Sequence, residues 1–279
     1  MFQRELRGEQ VARDIYRTIT CMAIPDLVYD VGMNHGEDTA YYLSKNYRVV
    51  GVEANPVLAE ECRGKFADAL NARRLFIERV AVAETTGVKK FWVNETNDAF
   101  SALDQEAGTR YGAFHVIDVP CVTFADLLSQ YGVPFYLKID IERADINCLL
   151  SLDSSDLPKY VSIEAHELEY LIVLYRLGYR DFKAIDQLRH NSRLPNLSNE
   201  QLVSRALKRL RWYLDRIDIR LRREQVPYPP GSSGPFAEET PGTWLSLEDV
   251  AYDWLHFHRG YHDRGTLDPH SWYDFHARL

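Results

Sequence analysis

Apolar residues follow two alternating patterns along the first two thirds of the chain. Continuous runs of strand-forming residues are followed by segments in which apolar residues recur with helical spacing. Buried strands that alternate with helices predict a doubly wound α/β sheet, mostly parallel, with its functional site at the carboxyl ends of the strands. The predicted strands of this sheet are residues 27–31, 47–52, 75–84, 133–142, 160–167 and 179–187.

The same patterns divide the chain into four parts. Residues 1–25 predict a leading helix, and residues 26–187 predict the α/β core. Beyond that point the sequence becomes arginine-rich and then rich in aromatic residues, so residues 188–269 are predicted to form a cap over the strand ends that binds the substrate. Residues 270–279 have strand character and predict an antiparallel final strand of the sheet.

Composition and charge exclude several classes of protein. With 46% hydrophobic and 27% charged residues, the chain is neither disordered nor fibrous, and a net charge of -8 argues against nucleic-acid binding. The four cysteines lack C-x-x-C spacing, which indicates reduced thiols.

The charged amino terminus and the absence of a long apolar run predict a cytoplasmic protein. The basic segment 205–223 would allow peripheral binding to a membrane, an anionic glycan or a partner, and the oligomeric state is left open.

The loop after the first strand carries the first chemical signal. Its sequence GMNHG has the spacing G-x-x-x-G rather than the dinucleotide pattern G-x-G-x-x-G. Asp30 lies two residues before Gly32, and a carboxylate there would repel a pyrophosphate but attract an ammonium group. Glu53 ends the second strand, where a carboxylate accepts hydrogen bonds from a ribose diol. These positions together favour a nucleoside with an amino-acid tail as the ligand.

Several motifs in order resemble one family. They are DVGMNHG at 30–36, VGVEANP at 50–56, RVAV at 79–82, LKIDIERAD at 137–145 and VSIEAHE at 161–167. Over about residues 26–187 this combination resembles the FkbM-type S-adenosylmethionine-dependent methyltransferases. The resemblance implies a class I methyltransferase fold with seven strands, the last antiparallel, and O-methylation of a hydroxyl on a sugar, glycan or natural product.

The resemblance also implies roles for individual residues. A loop would hold the methionine part of the cofactor, Glu53 the ribose and a short apolar segment the adenine, with Asp140 next to the methyl donor. The implied cofactor contacts are Asp30, Gly32, Met33, Asn34, Gly36, Thr39, Glu53, Ala54, Val80, Ala81, Ser101 and Asp140. The family commonly has glycine where this chain has Arg143, whose side chain would close the pocket or bind an anionic substrate.

Methyl transfer to a hydroxyl also needs a group that takes or orients its proton. The candidates are Asp140, Glu142, Glu164 and His166, all at or just beyond predicted strand ends. We expect His166 or Asp140 to be the base, with Lys138 and Glu142 in positioning roles. The alternative is that Lys138 and Glu142 form a structural ion pair and that His166 is a polar residue without a catalytic role.

Other functions remain as alternatives. A nucleotide-binding oxidoreductase would also use Glu53 for a ribose, and a non-catalytic cofactor-binding scaffold would use the aromatic tail for docking. No metal site is predicted, because metal ligands are usually marked by a clearer motif. The histidines that invite a metal interpretation are His256, His258 and His262, with Asp253 and Asp263 nearby.

Overall fold

The computed structural model of the protein describes residues 23–262 and 273–279, apart from 111, 155, 188–190, 193–227 and 230. Its strands are β1 (Ile24–Val31), β2 (Arg48–Val52), β3 (Leu75–Glu78), β4 (Ala81–Val82), β5 (Gly87–Asn94), β6 (Phe114–Val122), β7 (Pro134–Ile139), β8 (Tyr160–Glu164), β9 (Asp181–Asp186), β10 (Asn191–Ser192) and β11 (Tyr273–Arg278). Its α-helices are α1 (Glu37–Ser44), α2 (Pro56–Lys65), α3 (Ala67–Asn71), α4 (Gln105–Gly108), α5 (Phe124–Tyr131), α6 (Ile146–Leu150), α7 (Glu169–Leu177) and α8 (Leu247–His262).

Eight of these strands form the main sheet, in the order β10-β9-β11-β8-β7-β1-β2-β3. The neighbours from β8 to β3 are parallel, whereas β11 runs antiparallel between β8 and β9. The predicted fold class, including the antiparallel last strand, is therefore confirmed. Because β1 and β7 are adjacent and parallel, the loops that follow them meet at one edge of the sheet.

The central strands are apolar because helices cover both of their faces. The last five residues of β1 and the last four of β7 are all buried. One face of the sheet packs against α5, α6 and α7, and the other packs against α1 and α2. Strands buried on both faces need continuous apolar sequence, which is why these segments could be recognised.

The segment predicted as one strand at 75–84 forms two strands in different sheets. β3 pairs with β2 in the main sheet, and after two residues the chain continues as β4, which pairs with β6. With the antiparallel pair β5 and β6, β4 forms a separate three-stranded sheet. The prediction of a single strand was wrong here, because no glycine or proline marks the break.

The carboxyl-terminal region is described only in part. Residues 231–246 run over the face that carries α1, where Phe236 stacks on Tyr136 with ring centroids 4.7 Å apart. α8 packs on α7 and β9. The predicted leading helix, the basic segment 205–223 and the side chains of the tail histidines lie outside the described residues, so the cap stays a prediction. Within the described residues, no helix is both long and apolar enough to cross a bilayer.

Candidate active site

Gly32 brings the loop after β1 into contact with the end of β7. Its φ is +88°, and a Cβ at this position would lie 1.7 Å from the carbonyl oxygen of Asp140. The Asp140 N–H donates a hydrogen bond of 2.9 Å to the carbonyl of Val31. Only glycine permits this conformation and this approach, which explains the first glycine of the motif.

The second glycine of the motif, Gly36, lets the loop pack against Phe66, the residue that follows α2. Gly36 has φ of +75° and begins α1, and a Cβ there would lie 2.5 Å from the Phe66 ring. Met33 is buried below the loop against Gly51, where a Cβ would lie 2.4 Å from the Met33 sulfur. The Met33 side chain thus belongs to the hydrophobic core, and its predicted contact with a cofactor stays a prediction.

Glu53 ties the end of β2 to the glycine loop. Its carboxylate accepts hydrogen bonds from the backbone N–H of Asn34, at 2.8 Å, and from that of Asn55, at 2.7 Å. Burial raises the pKa of Glu53 to about 7, although these two hydrogen bonds act in the opposite direction. Ala54, between Glu53 and Asn55 in the sequence, is half-buried. The carboxylate is held at the position where the sequence predicted a ribose ligand.

Asp30 and Lys138 form the centre of a buried network of charges. The Lys138 Nζ atom lies 3.5 Å from Asp30 Oδ1, 3.2 Å from Asp38 Oδ2 and 3.3 Å from Asp140 Oδ2. The Thr39 hydroxyl donates a hydrogen bond of 2.6 Å to Asp30 Oδ2. Asp38 was missed by the sequence interpretation, because it belongs to the first turn of α1 and reads as an ordinary acidic residue at a helix start.

The charges of this network shift the pKa values of its members. Burial raises the pKa of Asp30 to about 6, and Lys138 opposes that change. Burial alone would lower the pKa of Lys138, but the carboxylates of Asp140, Asp38 and Asp30 raise it well above its usual value. Lys138 is therefore a cation that compensates three carboxylates. The alternative interpretation, in which Lys138 and Glu142 form a structural ion pair, was wrong. The partners of Lys138 among the described residues are Asp30, Asp38 and Asp140.

The residues around the loop fit a nucleoside that carries an amino-acid tail. Asp30 Oδ1 is buried, lies 3.5 Å from Lys138 Nζ and accepts no hydrogen bond from the described residues, so it can still accept one from an ammonium group. Asp30 lies opposite Gly51 in the register of β1 and β2, which places its carboxylate one strand away from that of Glu53. That these two carboxylates hold the two polar ends of one ligand stays a prediction.

The residues predicted to border the adenine lie between the two sheets. Val80 is half-buried in the turn between β3 and β4, and Ala81 is buried at the start of β4. Ser101 follows a 3₁₀ turn (Asp98–Phe100), and its hydroxyl accepts a hydrogen bond of 3.1 Å from the Asn94 N–H. These positions are compatible with the predicted contacts, which stay predictions.

His35 is a loop residue to which the sequence interpretation gave no role. Its Nδ1 lies 3.1 Å from Glu61 Oε1 on α2, and its Nε2 lies 2.8 Å from Asp98 Oδ2 on the 3₁₀ turn. Burial alone would lower the pKa of His35, but its contacts with Glu61 and Asp98 raise it. His35 therefore joins the glycine loop to two other segments, and both partners are too distant in sequence for a motif to reveal them.

A second group of polar side chains, the acid–histidine cluster, consists of Glu142, Glu164 and His166. Each offers one ligand atom, and these atoms lie within 4.8 Å of one another. The His166 Nε2 atom lies 2.9 Å from Glu164 Oε2. Burial and the carboxylates of Glu164 and Asp140 raise the pKa of Glu142 to about 8. Burial would lower the pKa of His166, but Glu164 raises it to about 9.

Two further aspartates adjoin the acid–histidine cluster. Asp145 is buried, and its Oδ1 accepts a hydrogen bond of 3.0 Å from the Ile141 N–H. Asp274 on β11 lies opposite Glu164 in the sheet register, and burial together with Asp140 raises its pKa well above the usual value. The sequence interpretation missed Asp274, because nothing in the pattern of the last strand shows which neighbour it will have.

Arg143 occupies the position where the resembled family commonly has glycine. Its φ is +68°, in the region that favours glycine, and that of Glu142 is +47°. The Arg143 guanidinium donates a hydrogen bond of 3.0 Å to Glu106 and lies 3.8 Å from Asp104. The side chain thus joins the loop after β7 to the segment around α4. Its predicted role in closing the pocket or binding an anionic substrate stays a prediction.

Comparison with known proteins places the chain in a family. The sequence pattern of the Methyltransferase FkbM domain matches residues 30–193, more than half of the chain. The chain belongs to the FkbM methyltransferase domain family. The resemblance stated from the motifs is confirmed, and S-adenosylmethionine is the cofactor of this FkbM domain. The residues at the glycine loop fit that cofactor, since it carries an ammonium group and a ribose.

Solved structures show low overall similarity to the FkbM chain. The methyltransferase FkbM from Methylobacillus flagellatus is 16% identical, with a TM-score of 0.39, and the match covers 57% of this chain but only 40% of that one. A SAM-dependent methyltransferase from Archaeoglobus fulgidus is 15% identical, with a TM-score of 0.38 and coverage of 99% and 94%. No curated protein matches the chain.

Proposed function

We propose that this FkbM protein transfers the methyl group of S-adenosylmethionine to a hydroxyl of a small molecule, a sugar, a glycan or a natural product. The observation that carries the proposal is the position of the acid–histidine cluster. Glu142 and Glu164 follow or end the adjacent strands β7 and β8, at the edge of the sheet where Gly32 meets Asp140. Donor-binding residues and proton-accepting residues therefore share one edge.

In this proposal the two groups of residues have different tasks. Asp30 and Glu53 hold the amino-acid and ribose ends of the cofactor, which supplies an electrophilic methyl group when bound. Alignment of two reactants can contribute about 7–11 kcal/mol to a rate enhancement, so precise placement is the main task of the protein. The acid–histidine cluster orients the acceptor hydroxyl and provides for the loss of its proton.

Only a few residues are candidates for the general base that takes the proton of the acceptor hydroxyl. The sequence favoured His166 or Asp140, but His166 lies beside Glu164 and Asp140 beside Lys138. Glu142 has no hydrogen bond or ion pair with any described residue and is therefore the carboxylate most available to an acceptor. These contacts favour Glu142, with Glu164 and His166 as its neighbours, over Asp140.

Binding and turnover can be measured separately. Calorimetry with S-adenosylhomocysteine and with NAD tests the donor site, and we expect binding of the first alone. Transfer of a labelled methyl group to a panel of sugars, glycans and hydroxylated natural products then tests the acceptor class. Binding of NAD alone would refute the proposal. Cofactor binding without methylation of any hydroxyl-bearing compound in the panel would favour the non-catalytic alternative.

A matched pair of variants tests the donor site. We expect Glu53→Ala to weaken binding of S-adenosylhomocysteine at least about tenfold, because hydrogen bonds between a charged group and a ligand contribute about 1.5–3 kcal/mol. Glu60→Ala changes an exposed glutamate on the neighbouring helix α2 and should leave the affinity unchanged. Circular dichroism must show that both variants are folded. Unaltered affinity in Glu53→Ala would exclude the ribose role.

A further inference from the structure

The sequence GSSG at residues 231–234 forms a turn against the start of α1. Gly231 has φ of +93° and Gly234 has φ of +78°, in the left-handed region that favours glycine. A Cβ on Gly231 would lie 3.4 Å from the side chain of Glu37, the first residue of α1. The two serines between the glycines are buried. This turn therefore brings two serines from a distant part of the chain to the helix that follows the glycine loop.

Both serines donate hydrogen bonds to one oxygen of Asp38. The Ser232 hydroxyl donates to Asp38 Oδ1 at 2.6 Å, and the Ser233 N–H donates to the same oxygen at 2.8 Å. Ser232 Oγ also accepts a hydrogen bond of 3.0 Å from the Gly234 N–H, which fixes the hydroxyl in place. Hydrogen bonds to a carboxylate are roughly twice as strong as those between neutral groups. The turn therefore holds the Asp38 carboxylate in one orientation.

The other oxygen of Asp38 faces the buried cation Lys138. The Lys138 Nζ atom lies 3.2 Å from Asp38 Oδ2 and 3.5 Å from Asp30 Oδ1. Although Asp30 Oδ1 is this close, it accepts no hydrogen bond from the described residues. Asp38 thus attracts Lys138 from one side while the acceptor on Asp30 stays free on the other.

The charge of Asp30 depends on both neighbours. Burial is the largest influence on its pKa and raises it, while Lys138 lowers it and the like charge of Asp38 raises it. The Thr39 hydroxyl, next to Asp38 in α1, donates to the second oxygen of Asp30 at 2.6 Å. A contiguous set of contacts therefore connects the turn at 231–234 with the carboxylate that was predicted to meet the ammonium group of the cofactor.

We propose that Ser232 and Asp38 are positioning residues for cofactor binding, which fix Lys138 so that it does not close on Asp30. Asp30 Oδ1 then stays available to the ammonium group of S-adenosylmethionine. The inference rests on the donor-binding role of Asp30 in the proposed function. If the Asp38 carboxylate could turn, Lys138 would donate to Asp30 Oδ1, and its charge would repel the ammonium group. Ser232 and Asp38 act only through Lys138 and need no contact with the ligand.

A pair of ligands distinguishes this role from a purely structural one. S-adenosylhomocysteine carries the ammonium group, whereas 5′-methylthioadenosine is a similar nucleoside thioether without the amino-acid tail. We expect Ser232→Ala to weaken binding of S-adenosylhomocysteine by about 2–30-fold, the range for residues that act through a network of contacts. Its affinity for 5′-methylthioadenosine should equal that of the wild type. Calorimetry on the full chain measures both.

Two further variants protect the test against effects of folding. Ser246 precedes α8, and its hydroxyl accepts a hydrogen bond of 3.2 Å from the Asp249 N–H in the first turn. Ser246→Ala therefore removes a helix cap and lowers stability, but it should leave both affinities unchanged. Asp38→Asn removes the charge that holds Lys138 and should reproduce the ligand-specific loss even if Ser232→Ala does not fold. Circular dichroism and melting curves show which variants are folded.

A double-mutant cycle tests whether Ser232 acts through Asp30. Asp30→Asn should weaken binding of S-adenosylhomocysteine and spare that of 5′-methylthioadenosine. Because residues in one network have non-additive effects, adding Ser232→Ala to Asp30→Asn should cause little further loss. This cycle decides alone if the wild type binds 5′-methylthioadenosine too weakly to measure.

The same measurements separate this inference from the proposed function. If the wild type does not bind S-adenosylhomocysteine, the proposed donor site fails. If the wild type binds it and folded Ser232→Ala and Asp38→Asn bind it equally well, only the inference is overturned. Equal weakening of both ligands, or additive losses in the double-mutant cycle, would also overturn it, because Ser232 would then affect the whole domain rather than Asp30.

Discussion

Gly32 and Asp140 lie so close together that a Cβ on Gly32 would be 1.7 Å from the Asp140 carbonyl oxygen. This contact links the glycine loop to the strand that carries Lys138 and Asp140. We expect Gly32→Ala to lower the free energy of unfolding by at least about 2 kcal/mol, through strain at positive φ and displacement of the backbone. Chemical denaturation measures the loss, and calorimetry should show weakened binding of S-adenosylhomocysteine.

Gly64 provides the matched control for this prediction. It lies in α2, is exposed, and a Cβ there would meet no atom within 4 Å. Because alanine is a better helix former than glycine, Gly64→Ala should be neutral or should stabilise the protein by up to about 1 kcal/mol. Equal destabilisation by the two substitutions would show that the contact between Gly32 and Asp140 is not the cause.

Lys138 is the cation at the centre of a group of three aspartates. In Lys138→Met, Asp30, Asp38 and Asp140 lose this partner, and breaking a buried ion-pair network costs about 3–5 kcal/mol. Urea denaturation at neutral pH should show a loss of this size. Lys90→Met removes an exposed lysine that pairs with Asp118, and it should cost about 1 kcal/mol or less.

The pH dependence of the Lys138→Met variant follows from the Asp30 pKa. Burial already raises that pKa to about 6 in the intact network, so the charged form destabilises the folded state above the unfolded value of 3.8. Without Lys138 the pKa rises further, and the protonated carboxyl needs no counter-charge. The part of the loss that is due to Asp30 should therefore shrink as the pH falls from the raised pKa toward about 6 and should be absent below that pH. Adding Asp30→Asn should restore part of the stability at neutral pH. A pH-independent loss would refute this explanation.

Sequence patterns were sufficient for the fold because the central strands are buried on both faces. The apolar runs of β1, β7 and β8 and the glycines of the loop have local physical causes, so they could be recognised without a structure. The break between β3 and β4 could not be recognised, because the chain changes sheets there without a turn residue. Strand pairing, rather than local sequence, decides where β3 ends.

The site was predictable where its residues act from strand ends, and not where they pair across the fold. Glu53 and Asp140 follow directly from their places after apolar runs. The partners of Lys138 come from β1, α1 and the end of β7, whereas the sequence interpretation offered Glu142 as its partner only in the alternative ion pair. Which charges are compensated depends on tertiary contacts, and these also leave Glu142 without a partner.

His35 should make the stability of the loop depend on pH. Its pKa is raised in the folded state by Glu61 and Asp98, so its stabilising contribution is fully present below the unfolded value of 6.5 and is lost as the pH rises through the folded pKa. The difference in unfolding free energy between wild type and His35→Gln should thus be larger at about pH 6 than at about pH 9. Denaturation curves at both pH values test this.

The partner variant Asp98→Asn serves as the control for His35. It keeps the histidine but removes one of the two carboxylates that hold its proton, at a distance of 2.8 Å from Nε2. The pH-dependent part of the stability should become smaller in this variant. If His35→Gln has the same effect at both pH values, the histidine stabilises the loop through packing alone.

Phe236 tests whether the region after residue 188 can be separated from the core. Its ring is buried, stacks on Tyr136 and lies 5.1 Å from the ring of Tyr42. Truncation of a buried phenylalanine costs about 3–5 kcal/mol, so Phe236→Ala should destabilise the whole domain by that amount. Phe114→Ala, at a residue that is 45% exposed, should cost less than about 1 kcal/mol.

This contact changes what deletion of the predicted cap should do. If residues 188–269 formed a separate substrate-binding cap, as predicted from the sequence, their removal would abolish methylation and spare cofactor binding. Ser232 and the Ser233 N–H both donate hydrogen bonds to Asp38, which also faces Lys138. Removing this segment would therefore expose the aromatic face around Tyr136 and leave Asp38 without two donors. We expect a deletion of 231–246 to lose both cofactor binding and cooperative unfolding, whereas a separable cap would leave both intact.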